Sequence, residues 1–203
     1  PVPRGHYELA STERYTEAYD SIEHLTNTWW HQNNPYNYFC PQINNQKALA
    51  GCVAIATSQL MAYWKYPQYV NGVAMNWSSM YFDNKDLEKK ARSNNTNYKM
   101  RVATLLGYVG KKINTEYGCG NIHGRGAYTN DAWKFLSNIG YSTSGKTSYT
   151  TESVYQSLNK KRPVIIEGFR RDKETGDTLG HAWLLDGYVK ETAIREQHYM
   201  QLI

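Results

Sequence analysis

The stretch Gly51-Cys52-Val53-Ala54-Ile55-Ala56-Thr57-Ser58-Gln59-Leu60-Met61-Ala62-Tyr63-Trp64 is small or apolar around the whole circumference of a helix. A surface helix keeps one polar face, whereas a helix without one is wrapped on all sides. This segment therefore requires the rest of the chain to fold around it. Pro67 ends it, because the residue before a proline disfavours helical backbone. Ala54, Ala56 and Ala62 let neighbouring elements pack closely. With 203 residues, 40% hydrophobic and 20% charged, the chain can supply such a core.

Further along, Arg101 to Val109 has helical spacing and ends near Gly110. Asn130 to Ile139 reads as a helix with Trp133, Leu136 and Ile139 on one stripe and Gly140 as its stop. Thr151 to Asn159 reads as another short helix. The character then changes. Val164-Ile165-Ile166, after Pro163, is β-branched and predicts a buried strand. His181-Ala182-Trp183-Leu184-Leu185 predicts a second strand and His198 to Ile203 a third. Helices first and strands later predict an α+β domain with segregated halves. Residues 1–21 are polar and weakly patterned, and predict a surface arm ahead of one domain over 22–203. The charge run at 83–92 reads as a solvated helix face or loop.

No apolar run reaches the length of a membrane span. Pro1 to Gly5 lacks the apolar stretch of a signal peptide, which fits either a mature form or a cytosolic protein. The net charge of +5 permits nucleic-acid binding. The Lys and Arg are scattered, however, with tight clusters at Lys160-Lys161-Arg162 and Arg170-Arg171, so nucleic acid is not an expected partner. Eighteen Tyr and six Trp supply amphipathic surfaces that can grip peptides, sugars or bases. They leave open a non-catalytic extracellular module that binds peptide or glycan. The three cysteines, Cys40, Cys52 and Cys119, are an odd number. In an extracellular setting Cys40 and Cys119 can pair and leave Cys52 reduced.

Cys52 opens the buried helix. Helix N-termini carry partial positive charge and free N–H groups, which favour a thiolate, the nucleophilic form of cysteine. Gly51 removes a side chain where a substrate carbonyl would approach. On the helix alone an inert buried thiol is the simpler reading, since free cysteine is among the most buried residue types. Peptide hydrolysis also needs a base. His181, flanked by Gly180 and Ala182 at the head of a strand, has an imidazole open to a cleft. His6, His24, His31, His123 and His198 compete, and of these His123 alone shares the glycine framing, in a loop. The Cys52 N–H and the Gln32 carboxamide, in a turn-rich loop upstream, are candidate oxyanion donors.

Together Trp30-His31-Gln32-Asn33-Asn34-Pro35-Tyr36-Asn37, Gly51-Cys52-Val53-Ala54-Ile55-Ala56, Gln59 to Pro67, and Gly180-His181-Ala182-Trp183-Leu184-Leu185-Asp186-Gly187-Tyr188 resemble the streptopain-like cysteine peptidases, family C10. The resemblance runs from about Ile22 to Tyr188. It implies a papain-like fold in which a helical half carries the nucleophile, a sheet half carries the histidine, and the cleft lies between. It carries catalytic roles onto Cys52, His181 and Gln32, and implies protein or peptide substrates without a metal or cofactor. It also implies a bacterial secreted or surface enzyme made as a zymogen with an inhibitory propeptide.

There are departures. The sequence stops at Ile203, about where the family's Trp-Gly-Trp-Gly-Gly segment would begin, so a missing C-terminal segment is expected, either left off this chain or carried as a second chain. No propeptide of family size precedes Ile22, which reads as a mature or trimmed form. His31 stands where the family often has Asn. Asp186 lies at an odd strand offset from His181 and is expected to be structural, not a triad acid. The glycine-rich stretch Gly118 to Gly126 lacks the lysine of a phosphate loop, and by resemblance is a loop at the cleft rim. Cys119 and His123 within it have loose zinc-ligand spacing, but two ligands do not make a site.

Overall fold

A computed structural model describes residues 7–80, 96–118, 124 and 126–202. The expected buried helix is α1, Cys52–Trp64. It ends at Lys65, which is left-handed at φ 54°, with Pro67 just beyond. Around it pack α2 (Thr96–Lys112), α3 (Thr129–Asn138) and two strands of a hairpin, β6 (Val164–Arg171) and β7 (Thr178–Leu185). Helix α4 (Thr151–Asn159) packs on β6. Val53, Ala54, Met61 and Ala62 of α1 share one core with Val102, Leu105, Leu106 and Val109 of α2. Ala182 of β7 closes that core from the sheet side.

The α+β expectation is met, with helices and antiparallel strands, although strands at 7–22, 42–43 and 46–47 precede α1. Three local expectations need correction. Helix α2 begins at Thr96, ahead of the predicted Arg101. The buried face of α3 is Ala132, Phe135 and Leu136, while Trp133 is turned outward. The strand predicted at Val164 is half-buried, because β6 and β7 form a two-stranded sheet.

Four short strands shape the loops beside α1. β2 (Gln42–Ile43) and β3 (Gln46–Lys47) form a hairpin turned by Asn44 and Asn45 at positive φ. β4 (Tyr69–Val70) and β5 (Val73–Ala74) form another around Asn71-Gly72. The expected arm is largely a strand. β1 (Tyr7–Ile22) runs antiparallel to β8 (Tyr188–Leu202), from Tyr7 opposite Leu202 to Ile22 opposite Tyr188. The base of this ribbon is fixed by Tyr188, whose hydroxyl donates to Asp20 Oδ2 at 2.8 Å and meets the Asn159 carboxamide at 2.9 Å. The charge run at 83–92 lies outside the described residues.

Candidate active site

Gly51 has φ 91° and ψ 134°, a backbone conformation that L-residues rarely adopt. That conformation turns the chain into α1 so that Cys52 is its first residue, partly buried. No side chain caps this end, and the first turn holds no acidic residue. The N-terminal N–H groups and the positive end of the helix dipole therefore stay available to an anion.

The approach to Cys52 is pinned from three directions. Ala48 N–H donates to Pro41 O at 3.0 Å, Leu49 N–H to Gly118 O at 3.4 Å, and Ala50 N–H to Gln32 O at 3.0 Å. Asn37, 5% exposed, donates from Nδ2 to Ala48 O at 2.8 Å. Lys47 Nζ donates to Tyr38 O and Cys40 O. Gln32, half-buried, is thus tied through its own carbonyl to the residue two before Cys52. The preceding His31 accepts from Asn33 N–H at 3.2 Å and meets the Tyr36 ring edge-on at 4.5 Å.

His181 comes to this helix at the level of elements, since β7 packs on α1. Strand alternation sets Ala182 into the α1 core and His181 on the other face with Trp183. The His181 and Trp183 rings stack at 5.7 Å and 26°. Gly168, the register partner of His181, admits the Trp183 ring, because a Cβ there would stand 3.2 Å from it. Among the described residues no hydrogen bond joins His181 to the Cys52 thiol.

Asp186 is structural, as expected. Its carboxylate accepts from Thr26 N–H at 3.1 Å and Thr26 Oγ1 at 2.9 Å, and faces His24 Nδ1 at 3.4 Å. Cys40 is a free, buried thiol whose pKa burial pushes up. Cys119 and His123 lie outside the described residues. Sequence reasoning passed over Asn37. It stands among turn formers, and the carbonyl it serves arrives from a separate segment.

The peptidase C10 family model matches residues 30–202. Streptopain of Streptococcus pyogenes is 25% identical over 197 residues, covering 78% of this chain and 47% of that protein. The chain thus spans about half the length of the curated relatives it matches. The active wild-type interpain A cysteine protease of Prevotella intermedia superposes with a TM-score of 0.64 at 29% identity, covering 84% of this chain and 80% of that one. A prointerpain A fragment gives 0.65 at 25% identity, covering 87% and 65%. The arrangement of helices and antiparallel strands is the papain-like α+β fold of these proteases. By its sequence over residues 30–202 and by its fold, the chain belongs to the peptidase C10 family.

Proposed function

We propose that the protein is a cysteine endopeptidase in which Cys52 is the nucleophile, His181 the base and then acid, and Gln32 an oxyanion donor. One observation carries this reading. A positive-φ glycine opens an uncapped, core-buried helix on a partly exposed cysteine, and the carbonyl of Gln32 is bonded two residues upstream. Membership of a peptidase family supplies the reaction class.

The Cys52 thiol passes its proton to His181, and the thiolate attacks the scissile carbonyl carbon. The carbonyl π electrons move to oxygen, where the Cys52 N–H and the Gln32 carboxamide donate to the oxyanion. Collapse breaks the C–N bond, and the leaving amine takes the proton from His181. Water, deprotonated by His181, then cleaves the thioester and returns the thiol. Each oxyanion donor is worth about a hundredfold to a thousandfold in kcat. Among the described residues no hydrogen bond joins Cys52 to His181, and catalytic hydrogen bonds often tighten only around substrate.

The substrates in this reading are proteins or peptides. An N-terminal propeptide inhibits the precursor, in keeping with the prointerpain A neighbour, and the enzyme acts outside the bacterial cell. No helix among the described residues is long and apolar enough to cross a membrane. The test is Cys52→Ala in the intact protein. Hydrolysis of a casein-type substrate should fall by at least about ten-thousandfold while circular dichroism stays unchanged. Retained hydrolysis would sink the assignment.

A further inference from the structure

We infer that Asn37 is a positioning residue which holds the Gln32 loop in register with Cys52. This rests on the peptidase reading above.

The oxyanion donors come from two separate segments. One is the N–H of Cys52, and the other is a side chain in the loop that starts at Gln32. Their relative placement depends on what joins the two segments. Residues 48–50, which lead into Gly51, are that junction. Gln32 O takes the N–H of Ala50, and Pro41 O takes the N–H of Ala48. These two backbone bonds hold the ends of the loop. Between them the loop sends back the buried side chain of Asn37, whose Nδ2 meets Ala48 O at 2.8 Å. Ala48 is thereby held through both its N–H and its carbonyl. Lys47 adds a tie at the exposed edge, from Nζ to Tyr38 O at 3.0 Å and Cys40 O at 3.2 Å.

A second observation separates positioning from plain stability. Asn37 is buried, yet its Oδ1 has no hydrogen-bond partner among the described residues. The unpaired acceptor carries a desolvation penalty, and it is retained beside the single bond that Nδ2 makes to Ala48 O. The one bond this side chain makes fixes where Ala48 lies. Local violations of this kind concentrate at functional sites.

The experiment is a double-mutant cycle between Asn37→Ala and Gln32→Ala in the intact protein, with two readouts: peptide hydrolysis, and alkylation of Cys52 by iodoacetamide. Alkylation needs the thiol but no oxyanion hole. Asn37→Ala is expected to lower kcat about tenfold with KM within about twofold, a misplacement effect smaller than loss of the donor itself. The Cys52 alkylation rate should stay within about twofold, and in the Gln32→Ala background the further loss of kcat should be under about twofold. An unchanged kcat, the same tenfold loss with Gln32 already absent, or a matching fall in alkylation would each overturn the inference. If Asn37→Ala does not fold, Lys47→Met decides. A loss of about threefold that disappears in Gln32→Ala supports positioning, and no loss, or one that persists, overturns it. Cys52→Ala keeps the two claims apart. Activity in that variant defeats the peptidase reading, whereas an inactive Cys52→Ala beside a normal Asn37→Ala defeats positioning alone.

Discussion

Cys52 and His181 stand on very different supports. Three successive N–H groups before Gly51 donate to both ends of the 32–41 loop and to Gly118, and α1 behind Cys52 is buried along Val53 to Ser58. His181 stands on a two-stranded hairpin whose outer half, through Phe169, Arg170 and Arg171, is exposed. The far turn of that hairpin is closed locally. Asp172 Oδ1 accepts from the N–H groups of Glu174 and Thr175, bonds that hold its carboxyl below the usual range. The imidazole is steadied by one ring, Trp183, itself 39% exposed. Cys52 and the Gln32 backbone are therefore held by core and hydrogen bonds, while His181 is held by a thin sheet. Isolated two-stranded pairs are marginal in water, so packing of Ala182 on α1 carries much of the hairpin's stability.

The largest expected effect tests that contrast directly. Leu106 is fully buried in the core that encloses α1. Leu106→Ala should cost about 2–5 kcal/mol in urea denaturation. Phe169, 65% exposed on the hairpin, should cost less than about 1 kcal/mol as Phe169→Ala. Equal costs at the two positions would break the comparison, because the hairpin would then be as tightly built as the helical half.

Gly51→Ala is next in size. Space is available, since a Cβ would meet Thr115 Cγ2 at 3.4 Å, an ordinary contact. The cost is conformational, about 1–3 kcal/mol for a non-glycine residue held at such φ and ψ. A stable Gly51→Ala with normal Cys52 alkylation would show that the turn tolerates a side chain, and that the preorganisation of Cys52 rests on the flanking hydrogen bonds alone.

The two halves also differ in how far the sequence discloses them. Helix α1 is legible because every side of it is small or apolar, and Pro67 marks where it must end. The pairing of Gln32 with the Cys52 approach is legible as a motif, although the bond that makes it, Ala50 N–H to Gln32 O, is not. The face shared by His181 and Trp183 follows from strand alternation, whereas the packing of β7 on α1 has no local signal. Distance along the chain hides the most. Residues 7–22 carry the polarity of a solvated arm, and nothing in them designates 188–202 as their partner. Asn37 is hidden for the same reason, since its burial exists only once Ala48 arrives from beyond the β2–β3 hairpin.

The smallest effect at neutral pH grows in alkali. Cys40 and Tyr117 lie together on the Cys52 side of the molecule. Burial raises the Cys40 thiol above 9.0, and burial, followed by the neighbouring Cys40, pushes the Tyr117 phenol from 10.0 to about 12. Both groups are neutral well below pH 9 in the folded and the unfolded chain. Above that, the unfolded chain releases its protons first, so each further rise in pH favours unfolding until the folded-state value is passed. The stability these groups leave intact at neutral pH should thus be lost progressively above pH 9, with the Tyr117 share falling between pH 10 and about 12. Water around the half-exposed phenol weakens the effect, so the slope is the quantity to measure. Thermal melts of the wild type and Tyr117→Phe across this range should converge as pH rises, because the variant lacks the phenolic proton. Parallel slopes would show that the Tyr117 hydroxyl meets solvent in the folded state much as it does in the unfolded chain. The dense packing assigned to the Cys52 side would then stop short of the segment that bonds Leu49.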